Sequence, residues 1–106
     1  MKIQVTKEDI EKGERGSCEW CPVALAIQRT YDLKNGKDKM VIVEGSHAEI
    51  WDKNNGEQHY QLPQIVRDFI HDFDNSDIKS EQLKPFLFKM GRRLWRKKNT
   101  KALQLL

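Results

Sequence analysis

The chain has 106 residues, of which 38% are hydrophobic and 33% charged, with a formal net charge of +3. That length suits one domain around one core, and no apolar run approaches the roughly 18 residues that argue a membrane span. No apolar run of signal-peptide type opens the chain, so the expected location is cytoplasmic, where two cysteines read as thiols or metal ligands before a disulfide.

The net charge hides an asymmetry. Residues 91–106 hold Arg92, Arg93, Arg96, Lys97, Lys98 and Lys101 and no acid, so they carry +6. The preceding 90 residues hold the other 13 basic residues against all 16 acidic ones, a net −3. The division expected is a small α+β domain over 1–90 and a basic amphipathic tail over 91–106.

In chain order, Ile3-Gln4-Val5-Thr6 alternates and predicts a short strand. Thr6 then stands as the N-cap of a helical turn over 9–12, with Asp9 in the place of the usual Glu or Gln of a capping box. Gly13 ends that turn, and a loop leads to Cys18-Glu19-Trp20-Cys21. Pro22 fits a first helical position. The helix it opens should run to about Leu33, with Val23, Ala26, Ile27, Thr30 and Tyr31 on one face, and Asn35-Gly36 stops it.

Met40-Val41-Ile42-Val43 and His47-Ala48-Glu49-Ile50-Trp51 predict strands separated by a turn at Gly45-Ser46. Asn55-Gly56 is a strong hairpin signal. As a two-residue type I′ turn it would set Trp51 opposite Tyr60 and Glu49 opposite Leu62, with His47 and His59 on opposite faces. Pro63 opens the clearest amphipathic helix, whose apolar stripe is Ile65, Val66, Phe69, Ile70 and Phe73; Asp74-Asn75-Ser76-Asp77 ends it. Lys84-Pro85-Phe86-Leu87-Phe88-Lys89-Met90 suits an edge strand. The order is β-α-β-β-β-α-β plus tail: an α+β domain with a mostly antiparallel sheet and two helices on one of its faces.

Three stretches carry chemistry. A thiol at a helix N-terminus is stabilised as thiolate by the free N–H groups, which makes Cys18 and Cys21 candidate reactive thiols and Cys21 the more reactive. The motif does not follow a buried strand as the thioredoxin type does. The preferred reading is two small hydrophobes anchoring the loop onto the helix. A closed zinc site would need two histidines beside the thiols, but His47 and His59 are expected on opposite sheet faces and His71 on the wet face of the second helix, so neither metal nor cofactor is expected. Asp72, Asp74 and Asp77 read as a solvated helix end. No nucleophile–base set, phosphate loop or H-E-x-x-H is present, and nothing in the pattern asks for an enzyme.

The basic tail is the third stretch. As a helix it would group Leu94, Trp95, Ala102 and Leu105 against Arg93, Arg96 and Lys97. Arg92, Arg93, Trp95, Arg96, Lys97, Lys98 and Lys101 are the candidate contacts to phosphates and bases. The same pattern suits an anionic membrane surface, a partner's groove or a solvated extension.

Val5-Thr6-Lys7-Glu8-Asp9-Ile10, Gly13, Gly16, Cys18-Glu19-Trp20-Cys21-Pro22-Val23-Ala24-Leu25-Ala26, Leu62-Pro63, Phe69-Ile70, Phe73-Asp74 and Pro85-Phe86-Leu87-Phe88 together resemble a set of short bacterial and bacteriophage proteins of uncharacterised function. The resemblance covers most of residues 3–90, and its most specific part is the C-x-x-C-P-V-A-L-A run. It implies a shared small α+β domain and a phage or mobile-element setting, and it carries no assigned activity. The expected role is a non-enzymatic intracellular binding protein that contacts nucleic acid or a nucleoprotein complex through its tail. The alternatives are a protein–protein inhibitor or adaptor acting on a host or partner protein, and a thiol-redox or metal-linked function at Cys18 and Cys21.

Overall fold

A computed structural model describes residues 2–32, 35–54, 56–91 and 93–97, the last of these for the backbone alone. The described elements are β1 (Lys2–Val5), α1 (Lys7–Lys12), α2 (Pro22–Thr30), β2 (Lys39–Glu44), β3 (His47–Asp52), β4 (Gly56–Gln61), α3 (Gln64–Asp74), a 3-10 turn at Ser80–Gln82, β5 (Phe86–Lys89) and β6 (Arg93–Lys97). The class is α+β, with antiparallel strands as expected. Among the described residues the strands divide into two sheets: β1 pairs with β5, and β2-β3-β4-β6 form the second.

Local chemistry accounts for most of these boundaries. The Thr6 hydroxyl accepts from the Asp9 N–H at 3.1 Å while the Asp9 carboxylate accepts from the Thr6 N–H at 2.8 Å, so the capping box satisfies two of the free donors of α1. Gly13 ends α1 in an extended conformation, and only glycine fits there because a Cβ would strike the ring of Pro22. Pro22 opens α2, and the helix stops at Thr30, short of Leu33. Asp32 has already turned into the left-handed region at φ 52°, and Leu33 itself lies outside the described residues. Asn35 acts beyond the helix instead: its side chain donates to the Val41 carbonyl at 3.0 Å and accepts from the Val41 N–H at 2.6 Å, satisfying the outer edge of β2.

Helix α2 packs on β1, α1 and β2, so it joins the two sheets into one core. Val23, Ala24, Ala26 and Ile27 are fully buried there with Ile3, Val5 and Val41. Asp9 is buried too, and Arg29 reaches it with two guanidinium bonds of 2.6 and 2.8 Å while a third goes to the Gln4 carbonyl. One carboxylate thus ties β1, α1 and α2 together.

Helix α3 buries Val66, Phe69 and Phe73. The Phe69 ring lies 4.8 Å from that of Phe86 at the start of β5. Ile65 departs from the expected apolar stripe and is 53% exposed, since the buried arc of α3 is narrower than its run of apolar residues. The end of α3 is held by the loop before the cysteines: Arg15 donates to the carbonyls of Phe73 and Ile78, and the Asp74 carboxylate accepts from the Gly16 N–H.

Candidate functional site on the second sheet

In β2 and β3 the side chains alternate. Val41, Val43, Ala48 and Ile50 turn to the core, so Ile42, Glu44, His47, Glu49 and Trp51 take the outer face. The register between β3 and β4 decides what joins them. Ile50 pairs with Gln58, Glu49 with His59 and His47 with Gln61, closing at Asp52 with Gly56. The expected two-residue turn is therefore corrected to a three-residue connection. The Asp52 carboxylate accepts from the Asn54 N–H at 2.7 Å, and Gly56 supplies a left-handed φ of 80° as the strand begins, a common way for a loop of this length to end. Asn55 lies outside the described residues.

That offset moves every side chain of β4 to the other face relative to the expectation. His47 and His59 now share the outer face, with ring centroids 5.5 Å apart and planes 26° from parallel. His59 Nε2 lies 3.2 Å from Glu57 Oε1 and 3.9 Å from Glu49 Oε1. His59 is 8% exposed although it points away from the core, and the side chains of Glu49 and Glu57 are 21% and 27% exposed. The hydrogen bond shared with Glu57, partial burial and the charge of Glu57 push Glu49 up to about 7, against the pull of His59. Two carboxylates held this close favour a proton on Glu49, and with the imidazole they form a donor set that can receive a cation.

Beside them lies the start of the C-terminal segment. Strand β6 pairs antiparallel with β4, setting Lys97 opposite Glu57, Arg96 opposite Gln58 and Trp95 opposite His59, with an irregularity before Tyr60 pairs with Arg93. The helix considered for this stretch is corrected to a strand. The open edge of β4 supplies backbone partners that no local propensity reveals. Gly91 is where the chain crosses to that edge, since a Cβ there would land on the Gln61 carbonyl. Of the candidate contact residues, Arg93, Trp95, Arg96 and Lys97 lie in β6. Arg92, Lys98 and Lys101 lie outside the described residues.

The cysteines sit elsewhere. Cys21 is the N-cap of α2, and its sulfur accepts from the Ala24 N–H at 3.4 Å. It is buried, and desolvation pushes its thiol up to about 11 despite the helix N-terminus. The expectation that Cys21 is the more reactive thiol therefore does not fit its surroundings. Cys18 is exposed, and its carbonyl accepts from the Val43 N–H at 2.8 Å, fastening the loop to β2.

Sequence reasoning missed the Glu49–Glu57–His59 group because it forms across strands. The usable signal was the Glu57-x-His59 spacing, which fixes two of the three on one face in any register. No helix among the described residues is long and apolar enough to cross a membrane. No protein-family model, curated protein or solved structure matches the chain.

Proposed function

We propose that this protein is a small non-enzymatic binding protein of the cytoplasm that contacts nucleic acid, free or within a nucleoprotein complex, through its C-terminal basic segment. The phage or mobile-element setting implied by the resemblance belongs to the same reading. One observation carries it: residues 91–106 concentrate six of the 19 basic residues and no acid, and β6 lies at the end of the second sheet next to β4. A cationic strand fixed on a sheet spends less ordering entropy on meeting a phosphate backbone than a free tail does. The preceding 90 residues are net negative and repel phosphates, so attraction is confined to this segment. Trp95 would add base stacking on single strands.

The test uses full-length protein and the triple variant Arg92→Gln, Lys98→Gln, Lys101→Gln, whose changes lie outside β6. Fluorescence anisotropy on single-stranded and duplex oligonucleotides should show weaker binding for the variant, with a log–log salt slope shallower by about 2 to 3. Full-length protein that shows no binding at low ionic strength, or binding that does not weaken with salt, would overturn this reading. A pull-down that captures a host protein after nuclease treatment, from a chain that shifts no nucleic acid, would support the inhibitor or adaptor instead.

A further inference from the structure

The outer face of the second sheet holds a donor set that nucleic-acid binding does not use. Glu57 and His59 are two apart on β4 and leave the same face; Glu49 comes from β3, directly opposite His59. Their donor atoms all lie within 4.8 Å of one another. In a tetrahedral metal site with bonds of about 2.0–2.1 Å, neighbouring donors lie about 3.3 Å apart. The separations of 3.2 and 3.9 Å from His59 Nε2 to the two carboxylates need only side-chain adjustment to reach that value.

The kind of donor narrows the ion. Imidazole with carboxylates suits zinc and its first-row neighbours, whereas magnesium and calcium favour oxygen alone. His59 is more than nine-tenths buried and aimed at the carboxylates, and the stacked ring of His47 restrains its plane. Two half-buried carboxylates this close repel each other when both are charged, and a divalent cation between them removes that repulsion.

We propose that Glu49, Glu57 and His59 bind a divalent transition-metal ion of the zinc type, with three protein donors and at least one coordination position left for water or a further ligand. A closed structural site takes four protein donors, and an incomplete shell is the arrangement that leaves an ion open to exchange and chemistry. This site is built from neither cysteine, and it stands whether or not the basic segment binds nucleic acid.

Metal-free full-length protein is titrated with zinc and, separately, with magnesium by calorimetry, and with cobalt by visible absorption. The expected result is one zinc ion per chain, a rise in melting temperature with zinc, little response to magnesium, and a cobalt spectrum without thiolate charge-transfer bands. Glu49→Gln, Glu57→Gln and His59→Asn should each weaken zinc binding by at least about tenfold, since even outer-shell losses reach that size. His71→Asn, on the exposed side of α3, should bind zinc as the parent does. If His59→Asn fails to fold, the two isosteric glutamine variants decide the matter. Zinc affinity unchanged in both of them, absent in the parent, or lost only on Cys18→Ser would overturn the proposal.

Discussion

Glu49 stands directly opposite His59 across the β3–β4 ladder, with Oε1 and Nε2 3.9 Å apart. That one pairing places His47, Glu57 and His59 on the same side of the sheet, while β6 pairs separately along the other edge of β4. The chemistry of the outer face therefore depends on the register of a single hairpin. Cross-strand backbone contacts observed by nuclear magnetic resonance should link Glu49 with His59 and Trp51 with Glu57. Contacts between Trp51 and Tyr60 would restore the two-residue turn and separate the histidines.

The buried arc of α3 gives a paired stability test. Phe69 packs against Phe73 and Phe86, so Phe69→Ala should cost roughly 3–5 kcal/mol in denaturant unfolding. Ile65 is more than half exposed, and Ile65→Ser should stay within about 0.5 kcal/mol. Similar losses at both positions would mean that α3 is rotated about its axis.

Much of this fold was legible because its signals are local. Thr6 with Asp9, Pro22, Gly45 and the 3.6-residue spacing of Val66, Phe69 and Phe73 each specify a cap, a turn or a face within a few residues of themselves. The hairpin register was not, because Asn55-Gly56 suits both a two-residue turn and a three-residue loop ending on a left-handed glycine. The choice falls to what Ala48, Ile50 and Tyr60 can bury in the core. The strand at Arg93–Lys97 was hidden for a related reason: its hydrogen-bond partners lie more than thirty positions earlier, on β4. The hairpin register alone brings Glu49, Glu57 and His59 together from β3 and β4, which is why the donors looked scattered in the sequence.

Asp9 supplies the pH dependence. Burial works against its charge, but the guanidinium of Arg29 and the N–H of Thr6 outweigh it and hold the carboxyl below its ordinary value of 3.8. The folded state therefore binds this proton less readily than the unfolded chain does. Its contribution is complete above the unfolded value and is lost as pH falls through the folded one. Asp9→Asn should cost roughly 1.5–3 kcal/mol at neutral pH, the range for hydrogen bonds to a charged group. The gap between the two proteins should hold steady down to about pH 5 and narrow below about pH 4. A gap that widens on acidification would contradict the assignment.

The two thiols should separate cleanly in a labelling time course. Cys18 is exposed, whereas Cys21 is buried and pushed up to about 11, so iodoacetamide at neutral pH should modify Cys18 first. The Cys18→Ser variant should then retain one slow thiol that becomes fast in denaturant. Prior modification of Cys21 in native protein would return the C-x-x-C motif to the reactive class.

The dependence of nucleic-acid affinity on salt tests the proposed function most directly. If the basic residues of 91–106 meet phosphates, log affinity for duplex DNA should fall linearly with log salt. Six contacts bound the slope at about −5, and on single strands at about −4. Trp95→Ala should weaken single-stranded binding by roughly 1–3 kcal/mol while leaving that slope unchanged. An affinity for DNA and RNA that is undetectable at low ionic strength, or that does not change with salt, would contradict the account.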